Sequence, residues 1–347
     1  MNGFIGEVCT QGGLIRTTAQ YYRQGEGSRT ISYITDLFRQ KEMKKVIMTG
    51  MGSSLYAMDA VKSYLTGKGI PALSFSSFEL SRFQFGQVDS GTLIIAVSQS
   101  GNSQEVTELV EKAKKITTVV GIYNNEGSAL SRMADIPLPI LAGPERSITS
   151  KTYELTMLIL NILAYSLAGE LDDGFWSEVS RSADWICGWL EHWEENAAPM
   201  AEFAEGTLLF DLLANNTSLA TARQLSLAYR EGLHNCTAVW ECADYAHGQY
   251  HSAKMGERYL AQMFFPEMKK GTKEEKMFRF ILDHGGKVML YTTEEAEPEE
   301  RVFVVKLPRV RDSLMPLIES VAAETMLGIL FGPDWVKDHY RRGDYDY

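Results

Sequence analysis

The chain has 347 residues, of which 45% are hydrophobic and 23% charged, and it carries a formal charge of −11. That length suits two domains of roughly 150 residues each, and the composition excludes a disordered or fibrous protein. A net negative surface repels phosphate backbones, so nucleic acid is not an expected partner, although a small phosphate ester can still be held by locally arranged N–H groups and hydroxyls.

The start, Met1-Asn2-Gly3-Phe4-Ile5-Gly6-Glu7, has neither a basic region nor an apolar run of signal-peptide type, so a cytoplasmic location is expected. Cys9, Cys187, Cys236 and Cys242 form no C-x-x-C pair and match no common zinc spacing, which predicts reduced thiols and no metal site. Residues 13–40 are polar with apolar positions at Ile31, Ile34, Leu37 and Phe38, which predicts leading helices. Residues 45–49 then form a short strand-forming run closed by Gly50 and Gly52, and Leu55, Met58, Val61 and Leu65 follow at helical spacing. Strands are predicted over residues 71–75, 92–97 and 117–123, with an amphipathic helix over 104–115 before the last of these. Residues 136–140 contain two prolines and suit an edge strand. The apolar stretch 155–168 is shorter than the ~20 residues of a membrane span and reads as a buried helix, so no membrane is expected as a partner.

Residues 175–203, with Trp176, Trp185, Trp189 and Trp193, predict a long connecting helix with a boundary near Pro199. A second series of strands follows over 207–213, 237–240, 259–265, 287–291 and 302–307, with a helix through Glu231 and a closing apolar helix over 313–331. Strands alternating with helices predict an α/β fold of two parallel sheets covered on both faces. The expected organisation is a helical segment 1–44, a first domain 45–172, a connecting helix 173–203 and a second domain 204–347 with a tail.

Ligands in open α/β sheets bind beyond the carboxyl ends of the strands. Ser98-Gln99-Ser100-Gly101-Asn102-Ser103 lies at such an end, where three hydroxyls, a glycine and a helix N-terminus converge and favour an anion. A serine-capped helix with no ligand is the alternative. The loop Gly50-Met51-Gly52-Ser53-Ser54 offers two more hydroxyls at a second strand end, and it matches neither G-x-G-x-x-G nor a P-loop.

These two loops, with Ser77-Phe78-Glu79-Leu80, the segment 122–130, and Glu145-Arg146-Ser147 leading into Thr149-Ser150-Lys151, resemble the sugar-isomerase (SIS) family, as in the isomerase half of glucosamine-6-phosphate synthase. The resemblance is good over residues 45–165 and patchier over 200–347. It implies two tandem SIS domains, with Ser98, Ser100 and Ser103 as phosphate ligands, Ser53 assisting, and Ser54 and Gln99 facing the sugar. Arg230-Glu231-Gly232 and His247-Gly248 resemble the family's catalytic pair. Glu231 would then move a proton between C1 and C2, and His247, donated by the neighbouring subunit of a homodimer, would assist ring opening; no cofactor is implied.

Departures from the pattern are plain. Gln249 replaces the proline after His247-Gly248, Ala228 replaces a lysine, and Ala214-Asn215-Asn216-Thr217 replaces a glycine-rich turn, so no second phosphate site is expected there. No amidotransferase half precedes the pair, so glutamine-dependent amide transfer by this chain alone is not expected. The tail resembles that of fructoselysine-6-phosphate deglycases, with Lys337, Arg341 and Arg342 as candidate contacts. The expectation is an isomerase or deglycase acting on a phosphorylated sugar or sugar-amine. The alternatives are a non-catalytic sugar-phosphate sensor and a scaffold that has lost its chemistry.

Overall fold

A computed structural model of the chain describes residues 1–296 and 298–336. Five strands, β1 (Lys45–Gly50), β2 (Ala72–Ser76), β3 (Thr92–Ser98), β4 (Thr118–Tyr123) and β5 (Ile136–Pro139), form a parallel sheet in the order β2-β1-β3-β4-β5. The central β3 is buried at every residue, as a parallel strand covered on both faces requires. The proline-bearing β5 takes the edge, where a missing ladder donor costs least.

The second sheet contains β6 (Leu209–Ala214), β7 (Thr237–Glu241), β8 (Tyr259–Phe264), β9 (Lys287–Thr292) and β10 (Val302–Lys306), in the order β10-β9-β8-β6-β7. Counted from its own first strand, this order repeats that of the first sheet. The direction in which successive strands are added therefore reverses between β1 and β3 in one sheet and between β6 and β8 in the other, while the strands themselves stay parallel. Such switch points are where open α/β sheets leave a crevice.

One large apolar core extends from Phe4 to Phe331 and takes in elements of both halves, while two smaller clusters back the outer faces around Ile94 and Leu109 and around Ala261 and Phe278. The helices Lys151–Ala168 and Met315–Phe331 run through the large core and are buried almost all round, which explains their lack of a polar face. Residues 312–331 are long and apolar enough to cross a membrane by length and composition, yet they are enclosed by protein. The chain's start is fastened to the helix Met315–Phe331: the Asn2 side chain caps the helix Gly3–Val8 and donates to the carbonyls of Gly328 (2.9 Å) and Gly332 (2.8 Å).

Two expected helices differ in detail. The connecting helix is two, Asp173–Glu191 and Trp193–Phe203, because His192 leaves helical geometry at φ −116°, ψ 30°, and Pro199 lies inside the second of them. The helix expected through Leu55–Leu65 is likewise divided, into Ser53–Tyr56 and Asp59–Gly67.

Candidate functional site

Ser98 closes β3 and is 2% exposed. Its Oγ lies 3.1 Å from Ser103 Oγ and accepts the Gly101 N–H at 3.1 Å. Ser103 is the N-cap of the helix Gln104–Ala113, yet its side chain makes no capping hydrogen bond, because it faces back to Ser98. The N–H groups that a capping serine would ordinarily engage are thus left to another acceptor at the positive end of the helix dipole. The Ser100 hydroxyl accepts from the Asn102 N–H at 3.2 Å, and the Gln99 carbonyl accepts from the Asn124 N–H at 3.2 Å.

The loop is held from outside by the segment after β4. Asn102 Oδ1 accepts the Ala129 N–H at 3.0 Å, and the Leu130 N–H donates to the Gly101 carbonyl at 2.8 Å. Gly101 has φ +67°, and a Cβ there would lie 2.0 Å from Ser128 Oγ, so both backbone conformation and space require glycine. Across the switch point, a Cβ on Gly50 would meet Ser54 Cβ at 2.9 Å and the Val97 carbonyl oxygen at 3.0 Å. That close approach brings the loop carrying Ser53 and Ser54, both half-buried, against the end of β3. The two serine-bearing loops expected from the sequence are therefore neighbours.

Glu231 sits near the end of the helix Leu219–Leu233, which belongs to the second half of the chain but packs on Ser53–Tyr56. On this helix, Arg223 donates to the buried Asp59 at 2.6 Å, and Leu227 Cδ2 lies 3.8 Å from where a Gly52 Cβ would be. Arg223, Leu227 and Glu231 are spaced four apart, so Glu231 continues the stripe that abuts the glycine–hydroxyl loop. Glu231 is exposed at the surface of the single chain. His247 is also exposed, in the turn after the helix Cys242–Tyr245, which follows the edge strand β7. Its N–H donates to the Asp244 carbonyl at 2.9 Å, and Gly248 follows at φ +126°. Lys337, Arg341 and Arg342 lie outside the described residues.

Sequence reasoning passed over a third wall. The half-buried Glu145 carboxylate accepts the N–H groups of Ser150 (3.1 Å) and Thr152 (3.0 Å), which fixes the start of the helix Lys151–Ala168. Burial raises the Glu145 pKa, while these hydrogen bonds and that of the Thr152 hydroxyl oppose the rise. Gln224, on the same helix as Glu231, donates to the Thr149 carbonyl at 2.7 Å and so brings the Thr149-Ser150 turn to that helix. Ser150 is fully buried, and among the described residues its hydroxyl has no hydrogen-bond partner. Its position beside Thr149 in a family-like segment was the available signal; the contact 75 residues away was not visible.

Beneath these loops lie buried acids. Glu154 and Glu324 face each other electrostatically; desolvation is the main cause that holds both well above the usual carboxylate range, and Gln11 donates to Glu324 at 2.7 Å. Glu319 accepts from Ser218 (2.8 Å) and Thr221 (2.9 Å), and burial pushes its pKa up to about 7.

Comparison with known proteins fits this geometry. Residues 39–166 match the SIS domain family. The chain is 25% identical over 309 residues to the isomerizing glutamine–fructose-6-phosphate aminotransferase of Thermococcus kodakarensis, covering 84% of this chain and 50% of that protein. It thus spans about half the length of such curated relatives. In fold it is similar to the C-terminal domain of glucosamine-fructose-6-phosphate aminotransferase from Francisella tularensis, with a TM-score of 0.84, 18% identity, and coverage of 97% of this chain and 98% of that one. It is also similar to tagatose-6-phosphate ketose/aldose isomerase from Escherichia coli, with a TM-score of 0.75, 16% identity, and coverage of 98% and 97%.

Proposed function

We propose that this chain, which carries a SIS domain over residues 39–166 and repeats its strand order in a second sheet, binds a hexose 6-phosphate and moves a proton between sugar carbons C1 and C2. The phosphate is received by Ser98, Ser100 and Ser103, with Ser53 alongside, and the sugar lies toward Ser54, Gln99 and Ser150. The observation that carries this reading is the seat of the Arg223–Leu227–Glu231 stripe on Gly52, which sets a carboxylate-bearing helix beside the hydroxyl loops.

In the reaction, the Glu231 carboxylate takes the proton from one of the two carbons, the electrons pass into an enediol or enolamine, and the same carboxyl returns the proton to the other carbon. His247 of a second copy supplies the proton that opens the sugar ring, and enclosure by that copy desolvates Glu231. The substrate class is an amino sugar or ketosamine 6-phosphate. In an isomerase the step is complete after reprotonation; in a deglycase, water then replaces the amine, giving the aldose phosphate and the free amine.

Incubation with fructose 6-phosphate, glucosamine 6-phosphate or fructoselysine 6-phosphate in deuterated water tests the step, since exchange marks proton transfer even without net turnover. Glu231→Gln is expected to lose deuterium incorporation while keeping hexose-6-phosphate binding within a few-fold. Undiminished incorporation by that variant removes Glu231 from the reaction. Binding without any incorporation by the natural chain indicates the other reading, a non-catalytic sugar-phosphate binder, which the exposure of Glu231 and His247 in a single chain favours.

A further inference from the structure

The second sheet has its own crevice at its own switch point. The loops after β6 and β8 border a cavity of about 360 Å3, within the range that holds small ligands. This is the position that the serine loops occupy in the first sheet, since β6 and β8 are the first and third strands of the repeat, as β1 and β3 are. The lining differs in kind. Asn215 and Asn216 replace the glycine-rich turn, and Asn216 adopts φ +54°, a conformation that asparagine tolerates better than most residues. Ser218 and Thr217 do not point free hydroxyls at an anion, for Ser218 donates to Glu319 and Thr217 to the Asp312 carbonyl at 2.9 Å.

Charge excludes a phosphate more firmly. Glu267, Glu274 and Asp312 line the cavity against one guanidinium, Arg309, which is paired with Glu267. Glu274 is oriented by Asn215, whose Nδ2 donates to it at 2.6 Å while Asn215 Oδ1 accepts the Cys242 N–H at 3.0 Å. A carboxylate fixed in this way, with Asp312 at the rim and amide groups beside it, suits a cation that also forms hydrogen bonds.

We propose that this second crevice binds a protonated primary amine bearing hydroxyl groups, and not a phosphate ester. None of the residues lining the second cavity belongs to the serine loops of the first, so occupancy of one is measurable whatever happens at the other.

Methionines labelled with 13C at the methyl group give the readout. Met315 lines the second cavity, and Met51 lies in the loop after β1. Three probes of one carbon skeleton separate the classes: glucamine (cationic), sorbitol (neutral) and sorbitol 6-phosphate (anionic). Glucamine is expected to shift the Met315 signal saturably and leave Met51 in place, with sorbitol about tenfold weaker or more and sorbitol 6-phosphate without effect on Met315. Glu274→Gln is expected to weaken glucamine binding about tenfold, the loss of one charge-assisted hydrogen bond. Asp312→Asn, at an exposed position, gives a smaller loss and serves if the first variant misfolds. An unmoved Met315 signal, an equal response to sorbitol, or unchanged affinity in both variants overturns the proposal.

Discussion

Replacing Glu319 by glutamine tests whether the acids beneath the loops are held neutral by the fold. The native carboxyl is fully buried, accepts hydroxyl donors from Ser218 and Thr221, and has its pKa pushed by burial from an ordinary 4.5 to about 7. Between those two values the folded chain keeps a proton that the unfolded chain has released. Stability from this group is therefore fully present below pH 4.5 and is lost as pH rises toward 7. The loss is ~1.4 kcal/mol per pH unit, or about 3 kcal/mol across the interval, with no further change above it. Glutamine has the shape of the protonated acid and does not ionise, so the variant escapes the loss. Urea unfolding followed by tryptophan fluorescence, run on both proteins from about pH 4.5 to about pH 8, reads the difference directly. Glu145, Glu154 and Glu324 are common to both chains and cancel. The variant should gain about 3 kcal/mol relative to the natural chain over the lower part of that range and then run parallel to it. Curves that are parallel throughout would show that Glu319 ionises normally, and the reasoning about its burial would be wrong.

Two further outcomes follow from the loop and the edge strand. Gly101→Ala combines a left-handed backbone with a Cβ that displaces Ser128, whereas Gly127→Ala has φ +72° and open space around it. The second should cost ~1–2 kcal/mol in thermal or urea unfolding, and the first clearly more, with loss of hexose-6-phosphate binding; equal costs would contradict the packing around the loop. Mixing Glu231→Gln with His247→Ala subunits should restore part of the deuterium exchange that each lacks alone, because a mixed dimer assembles one intact site; failure to restore any, in dimers shown to exchange subunits, would place both residues in one chain's site or outside catalysis.

Much of this architecture could be read from the chain because it depends on local pattern. The unbroken apolar run of residues 93–97 in β3 announces a central parallel strand, and the prolines of β5 announce an edge. The serine loops are legible for the same reason: hydroxyls and glycines fall immediately after strand-forming runs. What escaped is long-range or depends on exposure. The hydrogen bond from Gln224 to Thr149, which ties the Thr149-Ser150 turn to the helix that bears Glu231, joins residues 75 apart and leaves no periodic trace. The exposure of Glu231 is a property of packing between the halves and not of its neighbours in sequence. The break at His192 hides because tryptophans continue the apolar rhythm on either side of it. The turn over residues 214–217 lacks the glycines of a phosphate loop, but its composition alone could not reveal that a cavity opens there.

The seam formed by Arg223 and Asp59 has a mechanical consequence. The hydroxyls proposed to receive one end of a sugar ride on the first sheet, and the carboxylate proposed to act at the other end rides on a helix of the second. The span between the two ends is therefore a gauge set by how the halves mesh, and a shim of one side chain along that helix retunes reach without touching either end.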